Sequence, residues 1–298
     1  MHDRDSLHRF LFEHYPIRGH LVHLDASWRA LIEHRDYPEA VRTALGEAVV
    51  ASILLAATVK FEGVLSLQLQ GEGPVHLLLA QCTSGLGVRG LARCRGEVAA
   101  AAAGGLAGLV GSGNLTVTME SDDGSQRYQG IVPIAGDRLA DSLQIYFENS
   151  EQLPTRLFLY ADENGAAGML LQRLPGGDGA SAASIDDAWR RVQLILATLT
   201  TEELRTLPDK QILHRLFNED DVRLFEAAPV YFRCRCSRER VSGMLQGLGE
   251  SETRSIIAER GKVEVHCDFC NRAYVFDAVD VAQLFNPAVA GDAGGSVH

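Results

Sequence analysis

The chain has 298 residues, of which 46% are hydrophobic and 22% are charged, and its formal net charge is -11. This composition is ordinary for a soluble globular protein and supplies enough apolar material for one large or two modest domains. The acidic balance argues against a general binder of nucleic acids or of anionic membranes.

The start of the chain and its apolar segments indicate a cytosolic protein. The first six residues are polar and acidic, unlike a secretory signal peptide. The longest apolar run, residues 48–59, is interrupted only by Ser52 and Thr58 and is too short to cross a bilayer. In a reducing compartment, paired cysteines are more often metal sites or redox devices than static disulfides.

Within the first 174 residues the pattern predicts a mixture of helices and strands. Residues 38–58 are apolar on one broad face and predict a helix, with Pro38 suited to its first turn. Leucines alternate with polar residues over 64–70, and a Gly/Pro turn then leads into 75–80, which predicts a β-hairpin. The other predictions are a short helix or surface loop at 99–103, strands at 115–120 and 128–134, a helix at 137–152, and strands at 156–160 and 167–172. Together they predict an α+β fold, a strand-rich sheet with helices packed against it.

A helical segment is predicted after the Gly/Ser-rich break at 175–182, which reads as a flexible boundary. Ser184 is the predicted N-cap, with Asp187 in the capping-box position. Two shorter helices follow, one on each side of Pro208. We expect the apolar stripe of the first helix to pack on the N-terminal sheet at rest and to be exposed conditionally; its residues are Ile185, Trp189, Val192, Leu196 and Leu199.

Four of the six cysteines form two close pairs near the C-terminus, Cys234-Arg-Cys236 and Cys267-Asp-Phe-Cys270. One tetrahedral zinc ion takes four soft ligands from two short turns, and the intervening loop is long enough to bring these turns together. Four thiolates leave no open position for a catalytic water, so the predicted zinc site is structural or redox-active. His266 is a less favoured substitute ligand, since four cysteines already satisfy zinc.

The other two cysteines, Cys82 and Cys94, have no close partner in sequence and are predicted to be small core residues. The predicted order of domains is an N-terminal α/β domain (residues 1–178), a helical linker (179–230), a C-terminal zinc-binding domain (231–288) and a disordered tail (289–298). A domain as small as the third rarely buries enough apolar surface to fold unaided, so the metal is expected to stabilise it.

The charges around the cysteines bear on function. Residues 231–290 hold eight Lys/Arg and eight Asp/Glu, so a zinc ion with four thiolates would make the module mildly acidic. A zinc ribbon that binds nucleic acid normally has a basic face, which weighs against that alternative. We expect the arginines near the first cysteine pair to keep the thiolates ionised; these are Arg233, Arg235, Arg238 and Arg240.

The spacing within each pair permits a short disulfide once zinc is lost. Structural zinc contributes about 10–16 kcal/mol of apparent binding free energy in small domains. Two disulfides that close such short loops lower the entropy of the unfolded chain only slightly, which stabilises the folded module by about 1.5–2 kcal/mol each. Oxidation is therefore expected to unfold the module. A thiol–disulfide oxidoreductase that uses Cys267 and Cys270 is the other alternative, although a thioredoxin-like β-α-β context is lacking.

Nearly the whole chain resembles the heat shock protein 33 family of bacterial redox-regulated chaperones. The most specific motif is C-x-C followed after about thirty residues by C-x-x-C, supported by stretches such as residues 67–74 and 150–158. The resemblance implies a holdase that needs no ATP, is not an enzyme, and is inactive when reduced and zinc-bound. It further implies that oxidative stress forms the disulfides Cys234–Cys236 and Cys267–Cys270, releases zinc and disorders the linker. It also implies unfolded proteins as clients and a homodimer as the active form.

Overall fold

The computed structural model describes residues 5–176 and 181–286 and divides the chain into two units, Met1–Arg233 and Cys234–His298. The strands of the first unit are β1 (Ser6–Phe12), β2 (Ile17–Leu24), β3 (Gly63–Gly71), β4 (Val75–Thr83), β5 (Gly87–Cys94), β6 (Gly113–Ser121), β7 (Arg127–Pro133), β8 (Thr155–Ala161), β9 (Ala166–Arg173), β10 (Val222–Leu224), β11 (Ala228–Pro229) and β12 (Tyr231–Phe232). Its helices are α1 (Ala26–Ile32), α2 (Glu39–Thr58), α3 (Ala99–Ala102), α4 (Gly105–Val110), α5 (Leu139–Tyr146), α6 (Ala182–Leu196), α7 (Thr201–Thr206) and α8 (Asp209–Phe217). The expected α+β class is confirmed.

Two six-stranded sheets form the framework of the first unit. The first has the order β10-β1-β2-β9-β8, with β11 also paired to β1, and the second has the order β12-β5-β4-β3-β6-β7. Strand β12 is parallel to β5, whereas the neighbouring β5–β4 and β4–β3 pairs are antiparallel. No strand is predicted from the sequence at β1, β2 or β5. Strand β2 is buried on both faces, so it lacks the alternation by which a half-buried strand is recognised.

Helix α2 lies in the main core of the first unit. Fourteen of its 20 residues are buried, and it contacts β2, β8 and β9 of the first sheet and β3, β4 and β5 of the second. A helix that is apolar nearly all round must be covered nearly all round. The expectation of one sheet on one broad apolar face is therefore wrong, because strands of two sheets cover this helix.

Helix α2 is also the one helix in the described ranges that is long and apolar enough to span a membrane by length and composition. However, 72% of its most apolar window is buried inside the fold. Packing against two sheets therefore accounts for its composition. The predicted run at 48–59 is the C-terminal part of this longer helix.

The predicted hairpin is confirmed. Strands β3 and β4 pair antiparallel, and Leu65, Leu67 and Leu69 are at most 1% exposed. The strand pairs β6–β7 and β8–β9 also form where they were predicted. The helix predicted at 137–152 is observed as α5, followed by a π-helical turn at Phe147–Glu151 that ends at Gln152 with φ 55°.

Helices α6, α7 and α8 pack on the first sheet. A second core cluster unites Trp189, Val192, Leu196 and Leu199 with residues of β1, β2 and β9, and Ile185 is buried as well. The prediction that Ser184 caps α6 is wrong. Ser181, one turn earlier, accepts the hydrogen bond from the Ser184 backbone N–H at 3.2 Å. Part of the predicted boundary at 175–182 lies outside the described residues.

The second unit has a β-hairpin and three helices among its described residues: α9 (Arg238–Leu248), α10 (Glu250–Arg260), β13 (Val263–His266), β14 (Ala273–Phe276) and α11 (Ala278–Phe285). Strands β13 and β14 pair antiparallel. The buried cluster of this unit is small and consists of Leu245, Val263, Tyr274, Phe276 and Val281. The predicted tail at 289–298 lies outside the described residues.

Candidate metal centre

Two short turns carry the four clustered cysteines. Cys234 and Cys236 directly precede α9, which begins after Ser237, whose Oγ accepts a hydrogen bond from the Arg240 backbone N–H at 3.3 Å. The second cysteine pair occupies the turn between β13 and β14. In this turn the Cys267 N–H donates to the Arg272 carbonyl at 3.0 Å, and the Asn271 N–H donates to the Cys267 carbonyl at 2.8 Å.

The four cysteine sulfurs converge on one point. All four Sγ atoms lie within 4.8 Å of one another, and no other group of three or more candidate ligands clusters in this way within the described residues. The Sγ atoms of Cys234 and Cys267 are 3.5 Å apart, and those of Cys236 and Cys270 are 3.4 Å apart. Zinc–sulfur bonds of about 2.3 Å in a tetrahedron place the sulfurs about 3.8 Å apart. The donor set therefore fits a four-thiolate metal site, and all four cysteines are free thiols.

The surroundings of the sulfurs differ from one cysteine to the next. Burial raises the pKa of Cys234, where neighbouring thiols add to the effect. Burial also opposes ionisation of Cys236, but hydrogen bonds from the Tyr274 hydroxyl and the neighbouring thiols lower its pKa to about 7. The Tyr274 oxygen lies 3.1 Å from the Cys236 sulfur. The centre thus holds a thiol that ionises readily beside one that does not.

An arginine outside the predicted cluster faces the thiols. Arg272 bonds to Tyr274, and this bond together with the sulfurs of Cys236 and Cys270 raises its pKa. Arg238, which was expected to support the thiolates, is instead paired with Asp280 at 2.8 Å. The Arg238 guanidinium also lies 4.2 Å from the centre of a phenylalanine ring, that of Phe276. Neither Tyr274 nor Arg272 is predicted from the sequence as part of the site, although both follow Cys270 within four residues.

The remaining candidates lie apart from the cluster. His266 is exposed, and its Nε2 lies 3.0 Å from a Glu264 carboxylate oxygen. Cys82 is buried, as expected, and burial raises its pKa to about 12. Cys94 is exposed at the end of β5, so its assignment to the core is wrong. The five predicted linker residues belong to the first unit and do not contribute to the metal centre.

Known proteins match the chain over nearly its whole length. The family model described as Hsp33 protein matches residues 5–277. The 33 kDa chaperonin of Nitrosococcus oceani is 51% identical over 289 residues, which cover 97% of both chains. The 33 kDa chaperonin of Methylobacillus flagellatus is 47% identical over 286 residues, which cover 96% of both chains. The relatives are named as chaperonins, which confirms the expectation that the chain is not an enzyme.

A solved structure has the same fold. The crystal structure of the 33 kDa chaperonin, a heat shock protein 33 homolog, from Thermotoga maritima matches with a TM-score of 0.81. The match covers 96% of this chain and 99% of that chain, at 23% sequence identity. The family model and the relatives extend over nearly the whole sequence, including all four clustered cysteines. The chain therefore belongs to the Hsp33 family.

Proposed function

We propose that this chain is an ATP-independent holdase chaperone, inactive while its clustered cysteines are reduced and metal-bound and active once they are oxidised. The observation that carries the proposal is the convergence of four cysteine sulfurs within 4.8 Å in a unit with a small apolar core. The proposed clients are unfolded or partly folded proteins, in line with relatives named as chaperonins.

The proposed ligands of a single zinc ion are Cys234, Cys236, Cys267 and Cys270. Bound there, zinc would keep the thiolates ionised and tie the two turns together. The hydroxyl of Tyr274 supports the same thiolate form at Cys236. Four protein ligands leave no open position for a reacting water, which agrees with a regulatory rather than an enzymatic centre.

Oxidation is proposed to join Cys234 to Cys236 and Cys267 to Cys270. Two thiolates give two electrons to one hydrogen peroxide, which takes up two protons and leaves as two waters. Each partner sulfur lies within 4.8 Å, and formation of the bond brings it to about 2.05 Å. Two sulfur–sulfur contacts of 3.4 and 3.5 Å in the reduced state join cysteines of opposite pairs, so mapping of the disulfides is part of the test.

The energetic consequence supports a switch. A unit of this size rarely gains more than about 3–5 kcal/mol from its own core. Loss of a metal that contributes about 10–16 kcal/mol exceeds this reserve. Disulfides that close loops of three and four residues add only about 1.5–2 kcal/mol each to the stability of the unit. We therefore expect the second unit to unfold on oxidation.

The proposed client-binding surface is the apolar stripe of the linker, residues 179–230, which is buried in the resting structure. Its members are Ile185, Trp189, Val192, Leu196 and Leu199. Four of these residues lie in α6, and Leu199 follows the end of this helix. Clients can reach the side chains only if α6 and the residues just after it leave the first sheet. The resting fold thus keeps an apolar surface out of water, and separation of α6 from the sheet would expose it.

Buried polar contacts help to hold the linker helices on the first sheet. The Asp209 carboxylate at the start of α8 lies 2.5 Å from His8 Nδ1 and 2.9 Å from His23 Nδ1. Burial opposes ionisation of Asp209, but the two histidines lower its pKa. His23 Nε2 also lies 2.6 Å from the Leu204 carbonyl. In addition, Arg191 of α6 and Asp220, which follows α8, form a bidentate ion pair that joins two parts of the linker to each other.

The proposed switch also implies a cellular compartment and an oligomeric state. A thiol switch needs a reducing compartment at rest, so we place the protein in the cytoplasm. The active form is proposed to be a homodimer, as the family resemblance implies. The net charge of -11 supports a function that involves neither nucleic acid nor a membrane.

The test follows metal, thiols and activity in the same samples. The reduced protein is expected to hold one zinc and six free thiols and to leave a denatured client to aggregate. After hydrogen peroxide with mild heat, we expect no zinc, two remaining thiols at Cys82 and Cys94, and suppressed aggregation. Peptide mapping should find both disulfides within the cysteine pairs.

A matched control separates the cluster from the exposed thiol outside it. Cys94→Ser should change no result except the thiol count, which falls by one. Zinc retained after oxidation, or lost without a gain in chaperone activity, would contradict the switch. That result would leave a structural zinc module, and a salt-dependent gel shift would then test nucleic-acid binding.

A further inference from the structure

A cleft of about 510 Å³ lies in the first unit, well within the range of small-molecule sites. Helix α2 forms one wall with the side chains of its first half. The segment that contains α3 and α4 forms another wall, and the residues before α5 close the third side. The apolar part of the lining includes Ala44, Val98, Leu106 and Leu109.

Small residues keep this cleft open. Alanines face it from α2 and α3, namely Ala40, Ala44, Ala99 and Ala102. Helix α4 is tied to the residues before α5, because the Leu106 N–H donates to the Asp137 carbonyl at 2.8 Å. Gly105 has φ +59°, and a Cβ there would lie 2.6 Å from that carbonyl oxygen. The alanines of α3, in the segment predicted as a short helix or surface loop, thus form part of one wall of the cleft.

Among the three carboxyl groups of the lining, that of Glu47 is half-buried, whereas those of Glu39 and Asp137 are exposed. Glu47 of α2 forms no hydrogen bond or ion pair with any residue in the described part of the chain. Burial raises the pKa of Glu47 to about 7, with Asp141 adding to the rise and Arg138 opposing it. A half-buried carboxylate in apolar surroundings is unfavourable without a partner, and a cation that enters the cleft would relieve part of this cost.

The charged residues at the rim of the cleft also favour a positively charged ligand. Glu39 on α2 and Asp137 before α5 are exposed and acidic, and α3 and α4 carry no charged residue. The lining arginine, Arg138, lies 3.7 Å from the Asp141 carboxylate. Three acidic residues and one basic residue give the lining a formal charge of -2 when Glu47 is ionised.

We propose that this cleft binds a small organic cation with an apolar body and a terminal ammonium group. The apolar body packs against Leu106 and Leu109, and the ammonium group donates to the Glu47 carboxylate. The cleft lies wholly within the first unit, so this site is independent of the cysteine switch.

The experiment compares three probes of equal chain length on the full reduced protein. Hexylammonium, 1-hexanol and hexanoate are titrated at pH 8 while methyl NMR signals of Leu106 and Leu109 are followed. We expect hexylammonium to bind at least about tenfold more tightly than 1-hexanol, and hexanoate to bind most weakly. At pH 5.5, below the pKa of about 7, Glu47 is protonated and the preference for hexylammonium should disappear.

Three variants test whether Glu47 causes the preference for hexylammonium. Glu47→Gln keeps the shape and should give hexylammonium and 1-hexanol equal affinity at pH 8. Glu39→Gln, on the rim, should keep the preference, and Ala102→Leu should weaken every probe by filling the cleft. Equal affinity of the two probes for the unchanged protein at pH 8 would overturn the proposal. So would a loss of preference in Glu39→Gln as large as that in Glu47→Gln, or the absence of any shift at Leu106 and Leu109.

Discussion

Tyr274 and Arg272 give the cysteine cluster its chemical asymmetry. The tyrosine hydroxyl donates to the Cys236 sulfur, and Arg272 bonds to Tyr274 while facing two of the thiols. A thiol with a pKa near 7 is partly ionised at neutral pH, whereas a buried thiol without such support is not. Cys82 illustrates the second case, because it is buried with a pKa of about 12. Position in the fold, rather than the number of cysteines, therefore separates reactive thiols from inert ones.

We expect the hydroxyl of Tyr274 to strengthen zinc binding. Tyr274→Phe keeps the ring in the core of the second unit and removes the hydrogen bond to Cys236. Partners of metal ligands typically contribute about 10–100-fold to metal affinity, so we expect zinc to bind at least about tenfold more weakly. Competition with a chromogenic chelator measures this affinity. Tyr160→Phe, which removes a hydroxyl bonded to Asp162 in the first unit, is the control. Equal zinc affinity in the two variants would contradict the role given to Tyr274.

Helix α6 is the element whose docking matters most for the proposed function. Its buried stripe faces the first sheet, while its opposite face carries exposed residues such as Leu194, which is 67% exposed. The 3.6-residue period predicted this stripe correctly, because one side of α6 is solvated. The burial of α2 and β2 on both sides could not be predicted in this way, because an element that is covered on every side shows no periodic alternation of apolar and polar residues. Contacts that join distant segments, such as Asp209 to His8, have no local signature either.

We predict that replacement of Trp189 by glutamate detaches α6 from the first sheet. Loss of a buried Trp side chain costs about 3–5 kcal/mol, and burial of an unpaired charge adds to this cost. We expect α6 to leave the sheet, so that the reduced, zinc-loaded variant suppresses client aggregation without oxidant. Leu194→Glu places the same charge on the exposed face of α6 and should stay inactive. Hydrogen exchange of α2 amides checks that the main core remains folded. A Trp189→Glu protein as inactive as the unchanged chain would contradict this role.

At the scale of the whole molecule, the two units depend on different sources of stability. The first unit has two large apolar clusters around its sheets, whereas the cluster of the second unit has five buried residues. The sequence predicted this contrast, because four cysteines stand in a segment too short to bury enough apolar surface on its own. The predicted start of the third domain, at residue 231, lies three residues before the start of the second unit at Cys234. The division falls at Arg233 and Cys234, because β12 pairs with β5 and so keeps residues up to 232 in the second sheet.

Metal removal should therefore act on one unit alone. A chelator applied to the reduced protein removes about 10–16 kcal/mol of apparent stabilisation from a unit whose own core supplies about 3–5 kcal/mol at most. We expect fast hydrogen exchange in β13 and β14 after chelation, with unchanged protection in α2, β3 and β4. Zinc added back under reducing conditions should restore protection, which excludes damage by the chelator. Protection of β13 and β14 that survives chelation would mean that the apolar cluster suffices to fold the unit. In that case disulfide formation, rather than metal loss, would have to supply the driving force for unfolding.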